Sequence, residues 1–237
     1  MLAIVLSRRD WREYDQLVSL YTREEGRREA LARGVKKPVS KLSPHLFPWF
    51  ALEVEIVAGA AIDHLIKAVP VQSFAGVVSD AAKLATVRYA TKLLYHLTPE
   101  QQADRRVFDL ALSLLAFLNA ASSVPESVSY GFVFKLLAAL GLAPRLDDCV
   151  RCGSSTFKSP LLFSVTEGGV AHAHCGGTTV HSTALVQPLS VEGRARLAVL
   201  LEESWEKAGS VKLTTIEKRL ISQFLAYYSE KKVLLHS

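Results

Sequence analysis

The residues best placed to do chemistry are three cysteines and a histidine that fall within one short stretch of the 237-residue chain. Cys149-Val150-Arg151-Cys152-Gly153 is a Cys-x-x-Cys-Gly turn, a shape in which two thiolates approach one metal ion while the following backbone donates to sulfur. His172-Ala173-His174-Cys175-Gly176 repeats the two-residue gap before another glycine, so the two halves read as a pair of zinc-ribbon-like knuckles. The expected set is Cys149, Cys152, His172 and Cys175 around a structural Zn²⁺, because a closed Cys3His shell leaves no open position for water. His174 shares a strand face with His172 if the chain is extended there, and His181 is also near. The matched gaps favour His172. A thioredoxin-like redox pair would need a βαβ setting that this region lacks. A zinc deaminase would need a His-x-Glu pair ahead of Pro-Cys-x-x-Cys, which is also missing. Inert surface cysteines are the competing structural reading.

A second chemistry-bearing stretch runs from Arg27 to Lys41. Arg27, Arg28, Arg33, Lys36, Lys37 and Lys41 stand there against the single carboxylate of Glu29. Cations on a loop at the mouth of a small barrel neutralise phosphates and give salt-dependent, sequence-tolerant affinity. The alternative is a solvated loop that only keeps the protein in solution. Tyr14, Tyr21, Phe47, Trp49 and Phe50 could add stacking faces, with a place in the core as the default for each. Lys83, Arg88, Lys92, Arg145 and Arg151 could extend a phosphate-binding track, with ordinary solvated charge as the default.

The elements that must hold these residues follow from periodicity. Short β-like runs cover 2–6, 17–22, 28–32, 50–57 and 62–69, with turns expected at Glu25-Gly26 and Gly59-Ala60. Five such strands suit an OB-type barrel or a small antiparallel sandwich, and period alone does not separate the two. From Ser79 or Asp80 the period becomes helical, ending at Thr98-Pro99, and two more helices are expected over 104–121 and 128–142. Residues 147–181 carry too few apolar side chains for a core of their own and need a staple; a hairpin around Glu167-Gly168-Gly169 would set the knuckles side by side. Ser190 caps a further helix expected through Glu206. Thr214-Thr215-Ile216-Glu217 has the spacing of a capping box and opens the last helix. The fold class is therefore α+β: a β domain over 1–78, then a helical domain over 79–237 with a zinc-binding insertion at 147–181.

Composition sets the outer bounds. With 49% hydrophobic residues the chain can bury a substantial core, and 28 Lys+Arg against 23 Asp+Glu give a net charge of +5 and an isoelectric point near 9.1, a bias toward anionic partners. The opening apolar run is too short for a signal peptide, and no window reaches the roughly 20 apolar residues of a membrane helix. An odd number of clustered cysteines argues against a secreted disulfide framework. The expectation is a cytoplasmic protein without a membrane segment. Acidic residues form no pair suited to two-metal nuclease chemistry, and no phosphate-cradling Walker loop is present, so no catalytic site is expected.

Two runs together carry a resemblance. Residues 13–26, Glu-Tyr-Asp-Gln-Leu-Val-Ser-Leu-Tyr-Thr-Arg-Glu-Glu-Gly, and 32–41, Ala-Arg-Gly-Val-Lys-Lys-Pro-Val-Ser-Lys, resemble the N-terminal signature of the bacterial RecO recombination mediators: a strand ending in Thr-x-x-x-Gly, then a basic Gly-x-x-Lys/Arg-x-x-Ser loop. The order that follows is also similar, through Leu136 to Pro144, the Cys-x-x-Cys-Gly turn, Phe163-Ser164, Gly168-Gly169 and the second knuckle. Arg12 departs from the family pattern, standing where members commonly carry Gly, and His172 stands where many carry Cys. The resemblance implies an OB-fold, a helical domain holding a zinc knuckle, and no enzymatic activity. It implies binding of single- and double-stranded DNA, annealing of complementary strands, and action with RecR, and often RecF, in loading RecA onto strands coated by single-stranded-DNA-binding protein, whose C-terminal tail would dock in the helical domain. It also implies a nucleoid-associated location. A protein-only adaptor without annealing activity is the rival reading.

Overall fold

The computed structural model describes residues 1–158, 160–175 and 185–235, which pack as two compact units, 1–123 and 124–237. In the first unit, β1 (Leu2–Asp10), β2 (Gln16–Thr22), β3 (Gly26–Ala32), β4 (Ala51–Val57) and β5 (His64–Gln72) close into a barrel of order β1-β2-β3-β5-β4. Closure comes from an antiparallel β1–β4 pair and a parallel β3–β5 contact at Leu31 and His64. The sandwich alternative is thereby removed. Closure leaves no open sheet edge to a two-layer packing, and an OB-like barrel of this order is what the first 74 residues build.

Alternation drives the barrel. Ala3 and Val5, Val18 and Leu20, Ala30 and Ala32, Leu52 and Val54 all point to one interior cluster, the period-two signature of strands with one face inward. Leu46 and Val35 plug that cluster from the loops. Tyr21 belongs to the opposite strand face and is 1% exposed, so it is a core residue and offers no stacking surface. Burial, and then the Asp104 carboxylate, push its phenol pKa up to about 12.

The Thr-x-x-x-Gly end of β2 has a physical reason. Thr22 Oγ1 donates to the Gly26 carbonyl at 3.0 Å and accepts from Glu25 N–H at 3.0 Å, closing the hairpin turn. Gly26 has φ +73°, and a Cβ there would lie 2.0 Å from the Gln102 carbonyl oxygen, so only glycine fits.

Three helices complete this unit: α1 (Ala75–Val78), α2 (Ala81–Leu97) and α3 (Arg105–Ala120). Asp80 and Asp104 cap α2 and α3 by accepting from Lys83 and Arg106 N–H. Strand gives way to helix between Gln72 and Ala75, whereas the packed units divide between Ser123 and Val124. Helices α1 to α3 thus pack in the same unit as the barrel, a grouping that the change of period in the sequence does not mark.

In the second unit, α4 (Ser127–Ala139) is apolar on nearly every side and packs against α5 (Val191–Glu202), α6 (Trp205–Ser210) and α7 (Thr215–Leu235). The helix expected to run to Glu206 stops at Glu202, because Ser204 accepts from Lys207 N–H and starts a new one. Strands β6 (Leu161–Ser164), β7 (Gly169–His172) and β8 (Val186–Leu189) form a sheet of order β7-β6-β8. Phe224 of α7 joins sheet and helices, meeting Phe163 at 5.6 Å and Phe134 at 6.2 Å between ring centroids, both edge-on. The capping box at Thr214 is present. Thr214 N–H donates to Glu217 Oε2 at 2.9 Å, Glu217 N–H donates to Thr214 Oγ1 at 3.3 Å, and the buried carboxylate also receives Arg196 at 2.5 Å.

Candidate functional site

The Cys-x-x-Cys-Gly turn is held against the β6–β7 hairpin by backbone bonds. Val150 N–H donates to the Val170 carbonyl at 2.9 Å, and Arg145 N–H to the Gly168 carbonyl at 2.9 Å. Within the turn, Gly153 N–H donates to the Cys149 carbonyl at 2.8 Å and Cys149 N–H to the Ser154 carbonyl at 2.9 Å. Arg151 adds a side-chain tie to Glu167 at 3.0 Å across the hairpin turn. These contacts bring Cys149, Cys152, His172 and Cys175 together with all four donor atoms within 4.8 Å of one another.

The spacing suits one tetrahedral ion. Cys152 and Cys175 sulfurs lie 3.5 and 3.7 Å from His172 Nδ1. A sulfur and a nitrogen bound to one Zn²⁺ in a tetrahedron are separated by about 3.6 Å, from metal distances of about 2.3 and 2.05 Å. His172 Nε2 lies 2.9 Å from the Thr156 carbonyl, which only accepts, so Nε2 carries the proton and Nδ1 keeps its lone pair for a metal. The thiols are graded. Burial opposes the Cys149 thiolate, but backbone donors at Cys152, His172 and Arg151 outweigh it and bring its pKa down to about 6. Cys175 is pushed up to about 11 by desolvation and by the neighbouring sulfurs. Four donors so arranged can hold a metal ion.

His174 stands outside the cluster. The chain leaves the strand after His172 for a short 3-10 turn over Ala173–Cys175, which breaks the alternation that would have put both rings on one face. His174 instead stacks on His172, with centroids 5.1 Å apart and planes 18° apart. Phe157 covers another side of the ligand ring at 5.6 Å, and Arg194 lies over Phe157 at 4.8 Å. His181 lies outside the described residues.

The six cations of the barrel stretch separate into two groups. Arg27 is 9% exposed; it donates to the Thr98 carbonyl at 3.3 Å, pairs with Glu100 at 3.0 Å and lies 4.3 Å over the Tyr95 ring. Arg28 is largely covered and pairs with both Glu25 and Asp63. These two side chains are occupied within the unit. Arg33, Lys36, Lys37 and Lys41 are exposed, on or beside the loop that follows β3. That loop is tied to the β1–β2 turn: Gly34, at φ +62°, donates its N–H to Asp15 Oδ1 at 2.7 Å, and Lys36 N–H donates to the Tyr14 carbonyl at 3.0 Å. Lys36 reaches Asp10 at 2.8 Å, lowering that carboxyl's pKa, and Lys37 lies 5.5 Å over the Tyr14 ring.

Among the further cations, Arg88 and Lys92 are exposed on α2, Lys83 is buried, and Arg145 and Arg151 pair with Asp148 and Glu167. Of the aromatics, Tyr14 and Phe47 are exposed, while Trp49 donates its Nε1–H to Thr91 at 3.1 Å. Trp11 and His64, which motif and spacing do not single out, lie beside Arg12, the departure from the family pattern. Trp11 and Arg12 sit in the β1–β2 turn and His64 opens β5, and with Arg33 they line a cavity of about 510 Å³. A tryptophan in a turn beside an arginine was the available signal, but their convergence with residue 64 is not visible along the chain.

Comparison with known proteins agrees over nearly the whole length. Residues 1–74 match the family model described as Recombination protein O N terminal, and residues 78–236 the one described as Recombination protein O C terminal. A DNA repair protein RecO of Dehalococcoides mccartyi is 31% identical over 211 residues, covering 89% of this chain and 81% of that protein. That of Desulforamulus reducens is 28% identical over 235 residues, covering 98% and 90%. That of Anaeromyxobacter dehalogenans is 33% identical over 179 residues, covering 75% and 69%.

Proposed function

This chain belongs to the RecO family of DNA repair proteins, and from that premise we propose that it binds single- and double-stranded DNA through the β1–β2 and β3-loop face of its barrel and brings complementary strands together. The observation that carries the reading is the group of exposed Arg33, Lys36, Lys37 and Lys41 beside exposed Trp11 and Tyr14 on tied loops of a closed barrel. Annealing makes and breaks no covalent bond. The task is to lower the repulsion between two polyanions while leaving their bases accessible, which exposed cations and ring faces do without an acid, a base or a catalytic metal. The protein is accordingly non-enzymatic in this reading, and its role is to help load RecA onto strands coated by single-stranded-DNA-binding protein, together with RecR and RecF.

The ion at Cys149, Cys152, His172 and Cys175 is a structural Zn²⁺ in the same reading. The chain's own residues do the positioning: Thr156 fixes the His172 tautomer, and Val150 and Arg151 lock the turn to the hairpin. Zinc in such a closed shell supplies folding energy.

The test is binding of an oligonucleotide across a salt titration. Replacing Lys36 and Lys37 together by Glu is expected to weaken binding and to flatten the plot of log affinity against log salt by about 0.7 for each phosphate of a single strand that is no longer neutralised. Unchanged affinity and slope would remove this face as the DNA site. A wild-type protein that does not bind DNA at all but still engages repair proteins would establish the adaptor reading instead.

A further inference from the structure

We propose that the cavity between the β1–β2 turn and the β4–β5 turn of the barrel is a subsite for one unstacked nucleobase of single-stranded DNA. Trp11 is its stacking face, and Arg12 and Arg33 meet the flanking phosphates. The inference rests on the reading of the barrel as a DNA-binding surface, and it narrows that surface from one that neutralises phosphate to one that requires a free base.

The lining has the right chemistry. Leu31, Ala60, Ala61 and Ile62 give apolar walls, Trp11, Arg12, Arg33 and His64 give a ring face and cations, and no carboxylate is among them. Asp63, between the lining residues Ile62 and His64 in the chain, is engaged by Arg28, and Asp15 Oδ1 accepts from Gly34 N–H. At about 510 Å³ the cavity falls within the roughly 300–1,000 Å³ of sites that take small molecules. It is open to solvent, so a base carried on a chain can enter it, whereas a base locked in a duplex presents no ring face to Trp11.

Two side chains of the lining define what the cavity can take. Trp11 is 47% exposed, so its ring is open to a base that enters the cavity. His64 Nε2 lies 3.3 Å from an Arg33 guanidinium nitrogen. Arginine only donates, so Nε2 accepts and the ring proton is on Nδ1, where it is buried without a partner among the described residues. Nδ1 is closed off from solvent, so the groups that meet a base or a phosphate are the Trp11 ring and the guanidinium groups of Arg12 and Arg33.

Both lips are pinned. Trp11 and Arg12 N–H donate to the Asp15 carbonyl at 3.1 and 3.5 Å, Asp15 in turn holds Gly34, and Leu31 N–H donates to the Asp63 carbonyl at 2.7 Å. The backbone segments that carry Trp11, Arg33 and His64 are therefore all fastened to β3 or to the loop that follows it. Loops held in this way bind with less ordering cost than free ones.

The experiment compares a fluorescent oligothymidylate with an abasic chain of the same length, by anisotropy, on wild type, Trp11→Ala, Trp11→Phe and the Lys36→Glu/Lys37→Glu double variant, all checked for equal melting temperature. Trp11→Ala is expected to lose roughly 5- to 150-fold in affinity for oligothymidylate, the range for removing one base-stacking ring. Trp11→Phe should recover most of it, and the abasic chain should not distinguish wild type from Trp11→Ala. Equal affinity of wild type and Trp11→Ala for oligothymidylate, or an equal loss on both chains, overturns the base subsite. If the lysine variant alone weakens both chains, the barrel remains the DNA-binding surface and only the base subsite is lost. If wild type binds neither chain, both readings fall.

Discussion

Cys149 is wholly buried and its three partner donors converge on one point, whereas Arg33, Lys36, Lys37 and Lys41 are spread in solvent around a loop. The first arrangement concentrates three sulfurs and an imidazole that can hold one metal ion, and the crowding of the sulfurs is what pushes the Cys175 thiol up. The second leaves like charges apart and hydrated, so they cost the fold little and remain available to a polyanion. One region gathers its ionisable side chains into a single cluster, and the other leaves most of its cations in solvent, with Lys36 alone of the four paired to a carboxylate, that of Asp10. The contrast predicts that damage to the knuckle is read in stability, and damage to the loop in affinity and salt dependence.

The sharpest way to break that division is to remove the metal ligands. Replacing Cys149 and Cys152 by Ser is expected to abolish metal binding and unfold the 149–175 region, with a loss of several kcal/mol in the stability of the second unit, since structural zinc sites commonly supply about 10 kcal/mol or more of binding free energy. Elemental analysis and thermal melting check it; a metal-free variant that melts like wild type would falsify the structural role.

Next in size is Glu217, which both caps α7 and pairs with Arg196. Glu217→Ala should destabilise the second unit by about 3 kcal/mol. Desolvation alone would raise this carboxyl's pKa, but Arg196 and the Thr214 N–H prevail and lower it. A carboxyl depressed in the folded state contributes stability that is full above its unfolded pKa and is lost as the pH falls through the folded one. Wild type should therefore lose more stability than Glu217→Gln on acidification from neutral pH into that range, as thermal melts will show.

Arg27 and Lys37 provide the third test, because they sit in one charged stretch and differ in their surroundings. Arg27→Ala should cost the first unit about 2 kcal/mol, from the lost charged hydrogen bond and the lost stacking on Tyr95. Lys37→Ala should stay within about 0.5 kcal/mol in denaturant melts and lower DNA affinity by a few fold. The reverse ranking in either measurement would erase the distinction between the two groups of cations.

Much of this was legible in the sequence. Short apolar runs bounded by turn signals place the barrel strands, and the Asp80, Ser190 and Thr214 caps place three helix starts, because those signals lie within a few residues of what they control. Other features were not legible. Strand β8 is four residues long and includes Pro188, so its pairing with β6 leaves no local pattern. The break at Ser204 is a cap competing with a helical period that would otherwise continue.

The sequence by itself placed the candidate donors Cys149, Cys152 and Cys175 in two halves, each with a gap of two residues before a glycine, whereas the 3-10 turn over Ala173–Cys175 decided for His172 over His174. The sequence also determined the sign of the charge on the barrel loop. Only the tertiary structure decided which cations are exposed, and that Trp11, Arg33 and His64 share a cavity. Arg27 is claimed by Thr98, 71 residues away, and Arg28 by Asp63, 35 residues away. The physical reason is that a side chain's freedom depends on what the closed barrel and its helices bring next to it, and those neighbours are set by burial and closure over the whole unit.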